Sequence, residues 1–195
     1  MSRDKTPSAL SLAILGIISL EPVSGYDIRK VFSTTPMGHF SSSPGAIYPA
    51  LKRLEESGLI KGNIEKKNTL RPKRTYTLTE KGLKTLKEML SQPLTHQDVV
   101  RRLEEMMLRF AFMGNVLGRE QSLRFLKELA AKIDEYIPVL RENLKVQREL
   151  KNINGGYALE QGIAKYKATA LWARRVIRDF EKNSPPKKGH GKGGG

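Results

Sequence analysis

The chain has no cysteine. That excludes disulfides, thiolate metal sites and thiol nucleophiles, and it fits a reducing compartment, so a cytoplasmic location is expected. Histidine is scarce. His39, His96 and His190 lie far apart without ligand spacing, so neither a metal nor a cofactor is expected. No long apolar run is present either. The longest uncharged one, Ser8–Leu20, falls short of the roughly 20 residues that span a bilayer. It resembles a signal-peptide core behind Arg3 and Lys5, but Asp4 sits among those bases and no small-residue cleavage site follows. No membrane partner is expected. Enzyme signatures are missing as well: no GxGxxG, P-loop, HExxH or nucleophile elbow. Ser41–Ser43 near His39 offer a hydroxyl and a base but no third orienting group, which reads as a capped loop. No catalytic residue is assigned, and the chain is read as a non-enzyme.

What the chain has in excess is positive charge. It carries 35 Lys and Arg against 20 Asp and Glu over 195 residues, a formal net charge of +15. Such a surplus favours polyanions, nucleic acid first and anionic membrane second. It is concentrated between residues 61 and 74, where Lys61, Lys66, Lys67, Arg71, Lys73 and Arg74 face one acid, Glu65. A charge run is ordinarily a solvated face. Crowded onto one loop between two strands, it reads better as a binding surface.

The periodicities place that loop. Thr6-Pro7 read as cap and first residue of a helix ending near Ser19, apolar nearly all round. Ser24 and Asp27 form the start of a second helix with Ile28, Val31 and Phe32 inward. Residues 34–43 read as a loop. Ser43-Pro44 open a third helix, in which Ile47, Leu51 and Leu54 share one face and Gly58 stands at the C-terminal left-handed position. Pro49 predicts either a later start or a distorted first turn. Leu59–Ile64 and Arg74–Leu78 read as strands, the second with Tyr76 and Leu78 on one face and Thr75 and Thr77 on the other. Thr79 caps a helix to Leu90 with Leu83, Leu86 and Leu90 inward.

Helix, basic hairpin, helix is an arrangement suited to duplex DNA. The major groove admits one helix, and the phosphates attract cations. Packed through its apolar stripe, the third helix would present Tyr48, Lys52, Arg53 and Ala46 on other faces, with Ser43 at its start. Lys66, Lys67, Arg71, Lys73 and Arg74 would supply affinity from the hairpin.

The segments LAILGIISLEPVSGYDIRK at 12–30, AIYPALKRLEESGLI at 46–60 and RTYTLTEKG at 74–82 resemble the PadR family of bacterial and archaeal transcriptional regulators. Their order and spacing agree with that family, and Pro49 belongs to its pattern. The resemblance implies a dimeric winged helix-turn-helix protein, most often a repressor. It implies that Tyr48, Lys52 and Arg53 face DNA and that Arg74 and Tyr76 belong to the wing.

Ser91–Thr95 reads as a domain boundary, which gives a DNA-binding domain at 1–90, a helical dimerisation domain at 91–183 and a basic tail at 184–195 expected to be disordered. Thr95 and Asp98 open a helix to about Asn115. Leu123, Leu126, Ala130, Ile133, Ile137, Leu140 and Leu144 then recur at spacings of three and four. After Asn154-Gly155-Gly156, a last helix carries Leu159, Ile163, Tyr166, Ala170, Ala173, Ile177 and Phe180 at similar spacing. These seams either pack on one another within one chain or build a homodimer. A palindromic operator needs a two-fold partner, which favours the dimer. Trp172, the sole tryptophan, is read as a dimer-packing residue ahead of a wall for a small aromatic effector. The expected fold is mainly α with a small β-hairpin wing: an N-terminal winged helix-turn-helix and a C-terminal antiparallel helical domain. The expected function is a homodimeric, sequence-specific repressor of transcription on double-stranded DNA. Two rivals stand beside it: a sequence-tolerant nucleoid-associated or RNA-binding protein, and a module whose wing binds an acidic protein.

Overall fold

A computed structural model describes residues 8–40, 43–65 and 73–183. Helix α1, Ala9–Ile18, is buried along most of its length. The sequence puts its cap at Thr6-Pro7, which lie outside the described residues. The structure starts the helix behind Ser8, whose hydroxyl accepts the Ser11 N–H at 3.2 Å. Strand β1, Val23–Ser24, precedes α2, Gly25–Thr34. Ser24 both ends the strand and caps the helix, accepting from Asp27 N–H (3.2 Å) and donating to the Asp27 carboxylate (2.7 Å). Within the stretch read as a loop, Pro36–His39 form a 3-10 turn.

Helix α3, Pro44–Glu56, begins where the sequence puts it and runs straight through Pro49. A proline there removes one intrahelical bond, a cost of about 3 kcal/mol in a helix interior. Burial of Ile47, Ala50, Leu51 and Leu54 offsets it. Gly58 closes the helix at φ +70, as its sequence position requires.

Strands β2, Ile60–Glu65, and β3, Lys73–Leu78, follow, and the sheet order is β1-β3-β2, all antiparallel. The register pairs Val23 with Tyr76 and Ile60 with Leu78. Thr75 and Tyr76, on opposite faces of β3, are both buried. Helix α4, Glu80–Leu90, is capped by Thr79, whose hydroxyl accepts Gly82 N–H at 2.9 Å and donates to Gly58 C=O at 2.7 Å. The start of α4 is thereby tied to the end of α3. Its inner stripe is Gly82, Leu86 and Leu90. Leu83, expected inward, is 38% exposed, because Gly82 takes the contact position against the Leu59 backbone.

Thr95 and Asp98 do form a capping box, but the single helix expected from it is two: α5, His96–Arg101, and α6, Leu103–Leu117. Arg102 leaves helical geometry at φ −134, ψ 33, while its guanidinium reaches the Asp98 carboxylate. Burial alone would raise the Asp98 pKa. The Thr95 hydroxyl and amide, then the charges of Arg102 and Arg109, outweigh it and hold the carboxyl below its ordinary range. Arg109, buried on α6, donates to the Leu90 carbonyl at 2.9 Å and also to that of Gln92, closing the end of α4. Helix α6 packs on α1 so closely that a Cβ on Gly16 would fall 2.2 Å from the Phe112 ring.

Packing divides the chain into a compact unit ending at Ser122 and another starting at Leu123. The linker at 91–95 therefore lies inside the first unit, since α6 packs with α1, α4 and α5.

In the second unit, α7 (Arg119–Glu149) and α8 (Ile153–Lys182) run antiparallel, joined through Lys151 at φ 54. The Gly155-Gly156 pair read as a break lies inside α8, whose cap is Asn152 accepting Gly155 N–H at 3.1 Å. Pro138 sits within α7 without ending it. The two helices are paired along their length by Lys127–Glu181 (2.7 Å), Asp134–Arg174, Arg148–Glu160 (2.8 Å) and an edge-to-face contact of Tyr136 with Tyr166. Leu126, Ala130, Ile133, Ile137 and Leu140 are buried within the one chain, as are Ile163, Ala170 and Ala173. Leu123, Leu144, Tyr166, Trp172, Ile177 and Phe180 are half-buried.

Candidate nucleic-acid interface

The site begins with the two faces of α3. Its buried face fixes the helix on the core, and what remains is turned outward. Tyr48 is 47% exposed, and Lys52 and Arg53 are exposed beside it. The Tyr48 ring is not loose. It lies over the start of α2, where a Cβ on Gly25 would come within 2.8 Å of it. Lys52 is 3.8 Å from Glu56, one helical turn on, an exposed pair worth well under about 1 kcal/mol that leaves the cation available. Ser43 is exposed, with its hydroxyl accepting Gly45 N–H at 3.2 Å as a cap, and Ala46 is half-buried.

The hairpin is positioned by the other end of α3. Glu55 accepts Gly62 N–H at 3.0 Å and both its oxygens accept from Arg74 Nη2, at 2.7 and 2.8 Å. The Arg74 guanidinium also lies 5.6 Å from the Tyr76 ring centre. Arg74 is thus on the wing, as expected, but engaged with α3. Tyr76 is a correction. It is 8% exposed, paired in the middle of the sheet, and does not offer its ring to a duplex. Burial pushes its phenol pKa up, against a smaller opposing effect of Arg74. Lys73 is the first residue of β3. Lys66, Lys67 and Arg71 lie outside the described residues.

Two features escaped sequence reasoning. On α2, Tyr26 is 59% exposed with the Arg29 guanidinium 5.3 Å above its ring, a cation–π pair on the outer face of the helix. Their three-residue spacing, opposite the Ile28 and Phe32 stripe, was the available signal. The second is Glu55, an acid inside a basic surface. In the second unit, Ile137, Pro138, Ala170 and Leu171 line a groove of about 430 Å³ between α7 and α8, and Trp172 is not part of its lining. Among the described residues no helix is long and apolar enough to cross a membrane, and no cluster of three or more His, Cys, Asp or Glu could hold a metal ion.

A helical core, a three-stranded sheet ending in a hairpin, and a third helix with an exposed basic face beside that hairpin define a winged helix-turn-helix. Residues 14–88 match the family model described as the transcriptional regulator PadR-like family. Over residues 14–88 the chain is thus similar to the PadR-like family, a family of transcriptional regulators. It is 29% identical over 123 residues to the negative transcriptional regulator PadR of Bacillus subtilis, covering 63% of this chain and 66% of that protein. It is 36% identical over 83 residues to the transcriptional regulator YqjI of Escherichia coli, covering 43% of this chain and 38% of that one. The chain thus spans just under two thirds of the first relative's length and under two fifths of the second's. Among solved structures it is similar to Bacillus subtilis PadR in complex with operator DNA (24% identity, TM-score 0.43, 89% of this chain and 99% of that one). It is also similar to a PadR-like regulator of Bacillus cereus (26% identity, TM-score 0.42, 92% and 99%).

Proposed function

We propose that the chain is a sequence-specific DNA-binding repressor that acts as a homodimer on a palindromic operator. The observation that carries this reading is the outer face of α3. Tyr48, Lys52 and Arg53 stand together on a helix whose opposite face is fully buried, so the helix can enter a major groove without disturbing its own packing. The hairpin beside it, with the bases of residues 61–74, would track the phosphates. Tyr26 and Arg29 extend the candidate surface onto α2. The test is duplex binding at physiological salt. The chain's own upstream region should be preferred over mixed-sequence duplex by on the order of a thousandfold. Equal affinity for both would overturn the repressor reading in favour of a sequence-tolerant nucleic-acid binder.

The dimer is proposed on what the α7–α8 pair leaves uncovered. Since Leu126, Ile133, Ile137 and Leu140 are already buried within the chain, a second copy would be held by half-buried and exposed groups: Leu123, Leu144, Tyr166, Trp172, Ile177, Phe180 and, beside Trp172, Leu171, which is 65% exposed. Two copies would set two α3 helices about one or two turns of duplex apart. An effector, in this reading, is a small aromatic molecule that uses Trp172 and shifts that spacing. Leu171→Glu should convert dimer to monomer in sedimentation while leaving the helical content of the chain unchanged, because the side chain is exposed within it. A variant that remains dimeric removes this face of α8 from the interface.

A further inference from the structure

Sequence and resemblance together lead one to expect Arg74 among the groups that touch DNA. The geometry points to a different role, and this inference rests on the DNA-binding reading of α3. We propose that Arg74, with Glu55 and Gly62, is a clamp that positions the wing against the end of α3, and that Arg74 is a positioning residue rather than a phosphate ligand. Two independent features meet at one place. The first is the bonding: one carboxylate at the C-terminal end of α3 receives the Gly62 amide of β2 at 3.0 Å and the Arg74 guanidinium of β3 at 2.7 and 2.8 Å. A single helix side chain therefore holds both strands of the hairpin. The second is the space. A Cβ at residue 62 would lie 2.5 Å from Arg74 Nε and 2.8 Å from Glu55 Oε1, so the clamp closes only over a glycine. Tyr76, beneath the guanidinium at 5.6 Å, limits where it can swing. The surrounding surface is strongly basic, and a carboxylate there opposes phosphate attraction. Its presence makes sense if it orients the hairpin, since a helix and a wing grip the same duplex only at a fixed separation.

Three variants of the full chain test the clamp by salt-dependent binding to a short mixed-sequence B-form duplex: Gly62→Ala, Glu55→Gln and Arg74→Gln. Gly62→Ala is the most telling, because it removes no charge and only displaces the guanidinium. A clamp predicts that each weakens binding, on the order of fivefold, and that the double variant Glu55→Gln with Arg74→Gln is no worse than either alone. It also predicts log–log salt slopes parallel to the parent for Gly62→Ala and Arg74→Gln. A phosphate-bound Arg74 predicts a slope shallower by about 0.9 for Arg74→Gln. In that case Gly62→Ala and Glu55→Gln, which release the guanidinium, would bind as tightly as the parent or tighter. Either of these results overturns the proposal. Amide exchange at Gly62 needs no DNA and should be faster in Glu55→Gln and Arg74→Gln, and unchanged protection in both also refutes the clamp. A parent chain that binds no duplex refutes the DNA-binding reading instead, and the clamp is then decided by the Gly62 exchange alone.

Discussion

A chain carrying alanine at both Lys52 and Arg53 is expected to bind duplex DNA about a hundredfold more weakly than the parent, a loss near 3 kcal/mol shared between two contacts of about 1–3 kcal/mol each. Both side chains stand on the exposed face of α3. Their removal does not touch the core, because Ile47, Ala50, Leu51 and Leu54 face the other way. Stability should hardly change. The Lys52–Glu56 pair, 3.8 Å apart and exposed, contributes roughly 0.5 kcal/mol or less. Binding measured at several salt concentrations adds a second readout. If both cations neutralise phosphates, the log–log slope becomes shallower by about 1.8. If they read base edges instead, affinity falls with little change of slope, and discrimination among sequences falls with it. A double variant that binds within about twofold of the parent, less than 0.5 kcal/mol, would show that α3 is not the groove-entering helix.

The opposite pattern, lost stability without any lost charge, is expected from Gly82→Val. An added Cβ at Gly82 would sit 1.8 Å from the Leu59 carbonyl oxygen and 2.8 Å from its carbon. That carbonyl cannot withdraw easily. It also accepts from the Thr79 amide at 3.1 Å and the Thr79 hydroxyl at 3.2 Å. Relief requires α4 to move away from Leu59, and α4 carries the buried Leu86 and Leu90. Overpacking against backbone should cost about 3 kcal/mol or more. For a chain of this size that lowers the melting temperature by roughly 6–12 °C. Thermal unfolding followed by circular dichroism reads it directly. A melting point within about 2 °C of the parent, under 1 kcal/mol, would mean that the contact of α4 with the Leu59 carbonyl is not held as described.

The sequence and the structure agree where the rules are local. Ser24, Ser43, Thr79 and Thr95 cap helices because a side-chain oxygen a few residues away reaches a free amide, and nothing distant is needed. The stripe of Ile47, Leu51 and Leu54 and the left-handed Gly58 were legible for the same reason. Disagreement begins where a distant partner decides. Strand β1 is two residues long and exists only because β3 offers it an edge. That pairing makes β3 a middle strand, and Tyr76, which the family resemblance implied for the wing, is buried in it. The break at Arg102 separates two helices whose periodicity is continuous in sequence. In the second unit the spacing of Leu126, Ile133, Ile137 and Leu140 was read correctly as a seam. It could not say which surface covers the seam, because one chain folded on itself and two chains side by side demand the same pattern. The clamp was the hardest to see. Glu55 and Arg74 are separated by 19 residues, and only Gly62, an isolated glycine inside a strand, hinted at a close approach.

Strand β2 is an outer strand, and it carries Ile64 exposed near its far end. Bare strand edges are where polypeptides stick to one another, by adding a further strand to the row of amides and carbonyls. On this edge the Gly62 amide already has an acceptor in Glu55, and Lys61 next to it is charged and exposed. An incoming strand would have to displace a carboxylate to complete its ladder and would meet a cation on the way. The same side chain that steadies the hairpin thus keeps it from zipping onto its neighbours. The outer edge of β2 can then remain unpaired even where a small basic protein is concentrated.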